Sequence, residues 1–152
     1  MHIHFVCTGN AYRSRLAESY LNSKQIPGVI VSSSGTQAKK YYPENGPISW
    51  VAMRLIQIHK LIPFMKPMSE TTTENMLSQA DIIIFLNKPH YEYARQHLGY
   101  NKTNYEIWNI LDLDDFPDVE VIRQDEKLKI EVTEKTFEDI KHKVDHLARN
   151  LH

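Results

Sequence analysis

The chain has 152 residues, 41% of them apolar, and its 18 Lys and Arg against 19 Asp and Glu give a net charge of -1. Such a chain closes a core of its own as one domain over residues 1–152, and its balanced charge excludes a nucleic-acid or anionic-membrane footprint spread over the surface. A single cysteine excludes a disulfide framework or a multi-cysteine metal centre, and with no signal-peptide pattern and no apolar run longer than Ile82 to Leu86 the expected setting is cytoplasmic.

Ile3 to Val6 predicts a short strand ending in the turn-prone Cys7-Thr8-Gly9-Asn10. Leu16, Ala17, Tyr20 and Leu21 then fall at helical spacing, and Pro27-Gly28 stops that helix. Val29 to Val31 predicts a second strand, followed by loop chemistry in Ser32 to Thr36 and a polar, aromatic loop through Tyr41, Tyr42, Pro43 and Asn45-Gly46. Pro47 suits the first turn of a helix carrying Val51, Ala52, Leu55, Ile56 and Ile58, and Pro63 and Pro67 break the chain after it. Ile82 to Leu86 has the continuous β-branched composition of a strand covered on both faces, and a short helix follows from Pro89 to about His97.

Tyr105 to Ile110 predicts a fourth strand, and Leu111 to Asp118 an acidic loop. Val119, Val121, Leu128, Ile130 and Val132 alternate with polar residues and predict a β-hairpin. Phe137, Ile140, Val144, Leu147 and Leu151 predict a terminal amphipathic helix capped by Thr133 or Thr136. Strands alternating with helices imply an α/β fold: a parallel sheet with helices on both faces and its sites beyond the carboxyl ends of the strands, where Cys7 and the acidic loop both lie.

The chemistry concentrates in Cys7-Thr8-Gly9-Asn10-Ala11-Tyr12-Arg13-Ser14, a Cys-x5-Arg string between a strand and a helix. Backbone N–H groups of such a loop converge with the helix amino terminus into an anion cradle, and Arg13 adds a planar fork suited to two phosphate oxygens. The same positive field favours the thiolate of Cys7, and Ser14 has a hydroxyl to offer its sulfur. A lone cysteine is more often an inert core residue, but the longer string Cys-x-Gly-Asn-x-x-Arg-Ser in that setting argues for a nucleophile. Thr8, Gly9, Asn10, Ala11, Tyr12, Arg13 and Ser14 are the candidate phosphate-binding residues.

This loop resembles that of the low-molecular-weight protein tyrosine phosphatase family, and the resemblance continues through Ser34-Gly35-Thr36, Gly46-Pro47, Ala80-Asp81-Ile82-Ile83 and Trp108 to Asp112. It implies a three-layer sandwich around a four-stranded parallel sheet in the order 2-1-3-4, no metal or cofactor, and two-step hydrolysis through a cysteinyl phosphate. The implied partners are phosphorylated proteins, phosphotyrosine first, with inorganic phosphate or a similar oxyanion held in the loop. Phosphoarginine is the alternative substrate, because Ala11 leaves open which branch of the family the loop follows. A phosphate-binding module without turnover is the alternative of another class.

The family's general acid is an Asp in an Asp-Pro pair. That pair is absent here; Asp112 aligns best, with Leu113 in the proline's place, and Asp115 and Asp114 are the alternatives. Tyr12 replaces the family's second cysteine, which removes a protective disulfide and the cysteine relay of arsenate reduction. Met65 and Met68 stand where the family often has a His and an Arg behind Asn10. Tyr41, Trp50 and Phe116, with Tyr42, are candidates for an aromatic substrate wall. His2 and His4 point the same way along a strand, but no third ligand at metal spacing accompanies them.

Overall fold

The sheet of the computed structural model, which describes residues 1–151, consists of β1 (His2–Cys7), β2 (Ile30–Gly35), β3 (Ile82–Phe85) and β4 (Tyr105–Ile107). Every pairing is parallel and the order across the sheet is β2-β1-β3-β4, with Cys7 opposite Gly35 at one end of the β1–β2 register.

Period-two alternation splits these strands between two cores. Ile3, Phe5 and Cys7 of β1, with Ile84 and Leu86, pack against α1 (Arg13–Ser23), α3 (Trp50–Ile58) and α7 (Glu126–Arg149). Val6, Ile83 and Phe85 point the other way, toward Leu77 of α4 (Glu74–Gln79), Ala94 of α5 (Lys88–His97) and Tyr100. The result is a three-layer α/β sandwich. α2 (Ala38–Asn45) and α6 (Val119–Gln124) complete the helices, and no helix among the described residues is long and apolar enough to cross a membrane.

Helix α7 presents Thr133, Phe137, Ile140, Val144 and Leu147 to the first core. Phe137 is fully enclosed, with Tyr20 edge-on to its ring at 6.0 Å, so its truncation to alanine is expected to cost about 3–5 kcal/mol.

Five expectations are corrected. The hairpin over Val119 to Val132 is helical: Asp125 caps α7 by accepting from Leu128 N at 3.1 Å, and Leu128, Val132, Thr136 and Ile140 form a row four residues apart. An even spacing of four is also a multiple of two, and the polar Thr136 in the row hid the helical period. Thr133 is accordingly no cap: it lies mid-helix, its hydroxyl donating back to Lys129 O at 2.9 Å.

Ser32 to Gly35, expected as loop, extends β2, because Ser32 and Ser34 have their hydroxyls satisfied by the His4 ring at 2.6 and 2.7 Å. The loop expected at Tyr41 and Tyr42 is helix α2. β4 ends at Ile107, although Trp108 and Ile110 still donate to Phe85 O and Leu86 O. Helix α4 was not expected; Thr73, which caps it, is its only mark in the sequence, with Glu74 in the first turn.

Candidate active site

β1 delivers Cys7 to the carboxyl end of the sheet, where the chain must turn sharply to enter α1. Asn10 makes that turn at φ 50°, a left-handed conformation that asparagine tolerates, and the loop folds down against the end of β2. Its approach is close: a Cβ on Gly35 would stand 2.5 Å from both Asn10 N and Thr8 O, so only glycine fits.

No side chain caps α1, and the backbone N–H groups of Gly9 through Ser14 donate to no other described residue. They form an arc of free donors beside the buried Cys7 sulfur at the positive end of a helix. A hollow of about 150 Å³ opens here, lined by Cys7, Gly9, Ala11, Tyr12, Arg13, Asn45, Ser49, Val51, Asp112, Leu113 and Asp114.

The hydrogen bonds around Cys7 have a definite direction. Asn10 Nδ2 donates to Ser14 Oγ at 2.8 Å and to Ser33 Oγ at 2.9 Å, while its Oδ1 accepts from Glu70 N at 2.9 Å. With a donor already on its oxygen, Ser14 is left to direct its own proton at Cys7 Sγ, 2.9 Å away. Ser33 passes its proton to Glu18 Oε1 at 3.0 Å.

Asn10 is thus braced without Met65 or Met68, by Ser33 and the Glu70 main chain. Lys66 reaches Ser33 O beside Glu18, and Arg15 bonds Pro47 O at 2.6 Å and Lys66 O. Burial raises the Glu18 pKa and lowers those of Lys66 and Arg15, so three partly or fully enclosed charges brace the underside of the loop.

Arg13 is almost wholly enclosed. Its NH1 donates to Ile110 O at 2.7 Å, and its NH2 lies 3.6 Å from Asp112 Oδ2. Asp112 begins a short 3-10 turn (Leu113–Asp115); its Oδ1 accepts from Leu113 N at 2.8 Å, and Asp115 accepts from Asp112 N at 2.9 Å. Burial raises the Asp112 pKa against the opposing pull of Arg13, which favours a carboxyl that still carries its proton above the ordinary range. Asp114, also at the rim of the hollow, pairs with Arg123 at 2.6 Å.

Of the aromatic candidates, Tyr41 lines an adjoining hollow of about 290 Å³ with Thr8, Gly9, Glu44, Asn45, Asp112, Asp114 and Asp115. Trp50 and Phe116 line neither hollow; Trp50 is half exposed, with the Lys129 ammonium 5.7 Å from its ring centre. Tyr42 is exposed. Tyr12 is buried, its hydroxyl near Thr136 but without a well-formed hydrogen bond, and burial raises its pKa. His2 and His4 share Ser32 Oγ, each at 2.6 Å, and are spent on joining β1 to β2.

Sequence reasoning missed Ser33, Glu18, Lys66, Asn45 and Ser49, which no motif marks, and His90. The Asn87-to-His90 spacing signals a helix cap, but nothing in it reveals that the ring reaches Thr8.

The family model described as low molecular weight phosphotyrosine protein phosphatase matches residues 2–152. A protein-arginine-phosphatase of Geobacillus stearothermophilus is 56% identical over 34 residues, a match that spans 22% of this chain and 23% of that protein. Among solved structures, the low molecular weight protein tyrosine phosphatase from T. tengcongensis superposes with a TM-score of 0.77 at 23% identity, covering 99% of each chain. Vibrio vulnificus Wzb in complex with benzylphosphonate gives 0.76 at 21% identity, covering 99% of this chain and 98% of its own. With its family model matched from β1 to the end of the chain, the protein belongs to the low-molecular-weight phosphotyrosine protein phosphatase family.

Proposed function

We propose that this phosphatase dephosphorylates proteins, with phosphotyrosine as its leading substrate, Cys7 as nucleophile and Asp112 as general acid. What carries the reading is the arc of free N–H groups beside the Cys7 sulfur, closed on its far side by an Arg13 whose NH1 is pinned to Ile110 O. A tetrahedral dianion matches that donor array.

The Cys7 thiolate attacks phosphorus in line; the S–P bond forms as the P–O bond to the leaving group breaks, and the loop amides and Arg13 take the equatorial oxygens. Asp112 protonates the departing oxygen. As a carboxylate it then takes a proton from the water that opens the cysteinyl phosphate and releases inorganic phosphate. The Ser14 proton stabilises the sulfur as it leaves in that second step.

Phosphoarginine is the second reading. It is favoured by the small Ala11 and by the oxygens of Asp112 and Asp114 at the hollow, which can accept hydrogen bonds from a guanidinium leaving group. Hydrolysis of an aryl phosphate between about pH 5 and 7 tests the chemistry, and phosphotyrosyl against phosphoarginyl peptides ranks the substrates. A higher kcat/KM on phosphoarginine would make it the leading substrate in place of phosphotyrosine. Phosphate affinity without turnover, in the unsubstituted protein, would make it a binding module.

A further inference from the structure

We propose that His90 is a positioning residue of the oxyanion site, holding the Thr8 hydroxyl and, through it, one arm of Arg13. The inference rests on the phosphatase reading and adds to it a residue from a different part of the fold.

His90 stands in the first turn of α5, at the carboxyl end of β3 and next to the Cys7 loop because β3 neighbours β1. Asn87 N–H donates to His90 Nδ1 at 3.1 Å. A ring nitrogen that accepts carries no proton, so in the neutral ring the proton sits on Nε2, which donates to Thr8 Oγ1 at 2.9 Å. The helix cap therefore selects the tautomer, and the tautomer fixes Thr8 as an acceptor.

Thr8 Oγ1 also accepts from Arg13 NH2, at 3.4 Å. Arg13 NH2 and His90 Nε2 face each other at 3.5 Å as two N–H groups, a contact that confines the guanidinium without bonding it. Protonating His90 would cost the Asn87 bond and set a second cation beside Arg13; burial and then Arg13 hold its pKa down to about 3. The ring is a fixed neutral donor. Arg13 is thus held between Ile110 O beyond β4 on NH1 and, on NH2, Thr8 beyond β1 backed by His90 beyond β3. NH2 meets only long contacts, which leaves it donor capacity for an oxyanion.

Two substitutions separate positioning from capping. His90→Asn keeps an acceptor near Nδ1 for the cap and loses the Nε2 donor; His90→Gln keeps a donor near Nε2 and loses the cap. Expected is a fall in kcat/KM of about tenfold or more and a weaker vanadate Kd for His90→Asn at near-native Tm, with His90→Gln recovering most of kcat/KM despite a lower Tm. Thr8→Val, which leaves the cap intact, is expected to reproduce the His90→Asn loss and serves if the latter fails to fold.

Values for His90→Asn or Thr8→Val within twofold of the unsubstituted enzyme overturn the proposal, as do losses in the two His90 variants that simply follow Tm. An unsubstituted protein that neither turns over aryl phosphate nor binds vanadate overturns the phosphatase reading itself, and this inference with it.

Discussion

The Asp112 carboxylate stands 3.6 Å from the Arg13 guanidinium, close enough to feel its charge and too far to be tied up by it. Asp112 Oδ1 is engaged by Leu113 N, and burial raises the carboxyl's pKa. Asp112→Ala is therefore expected to slow turnover by about 10²- to 10⁴-fold, and Cys7→Ser to abolish it while phosphate still binds. Asp115→Ala, which removes a cap from Asp112 N, is expected to do less. Single-turnover kinetics on an aryl phosphate would separate the three.

The same raised pKa makes a pH prediction. In the proposed mechanism the protonated carboxyl is the active acid, so activity is expected to fall as pH rises through a pKa that burial has raised. In Asp112→Asn this descending limb is expected to vanish. Because the folded state holds this proton more tightly than the unfolded chain, Asp112 destabilises the fold above its pKa, and Asp112→Asn is expected to raise Tm at neutral pH. A Tm that falls instead would mean that its attraction to Arg13 outweighs its burial.

His4 and His90 act in the opposite sense. Each is buried and neutral, its pKa lowered from 6.5 to about 3, so below 6.5 the unfolded chain binds the proton that the fold refuses. Stability is lost as pH falls from 6.5 toward 3, at up to roughly 1.4 kcal/mol per pH unit for each. Urea unfolding of wild type and His4→Gln at several pH values checks this: the substitution is expected to remove one proton's worth of the slope. Equal slopes would refute it.

Tyr12 buries a hydroxyl whose polar side-chain neighbour, Thr136, makes no well-formed bond to it, which costs up to about 1–3 kcal/mol. Tyr12→Phe is expected to leave Tm unchanged or to raise it, measured by thermal unfolding.

At Gly35 an added methyl meets the main chain of Thr8, Gly9 and Asn10, not a flexible side-chain tip. Gly35→Ala is expected to cost about 1–3 kcal/mol and to weaken vanadate binding by displacing Asn10. Tight vanadate binding by this variant would show that the loop does not depend on the end of β2.

The two central strands and the place of Cys7 at the end of the first were legible in the chain because both are local. Ile82 to Phe85 carries its burial in unbroken apolar composition and Ile3 to Cys7 in a run broken by His4 alone, and Cys7 to Ser14 is one continuous string whose spacing puts thiol, glycine and guanidinium in a single loop. The hairpin expected over Val119 to Val132 failed because periods two and four coincide until a partner surface, here the first core, chooses between them.

What braces the loop came from elsewhere in sequence. His90 reaches Thr8 across 82 positions, Glu70 holds Asn10 across 60, and Arg13 is pinned to Ile110 across 97. The sequence by itself determined the central strands and the Cys7-to-Ser14 loop that joins β1 to α1; only the tertiary structure decided which polar groups hold that loop. Hydrogen bonds are contacts of a few ångströms, and the parallel crossovers set residues from distant segments side by side at the strand ends.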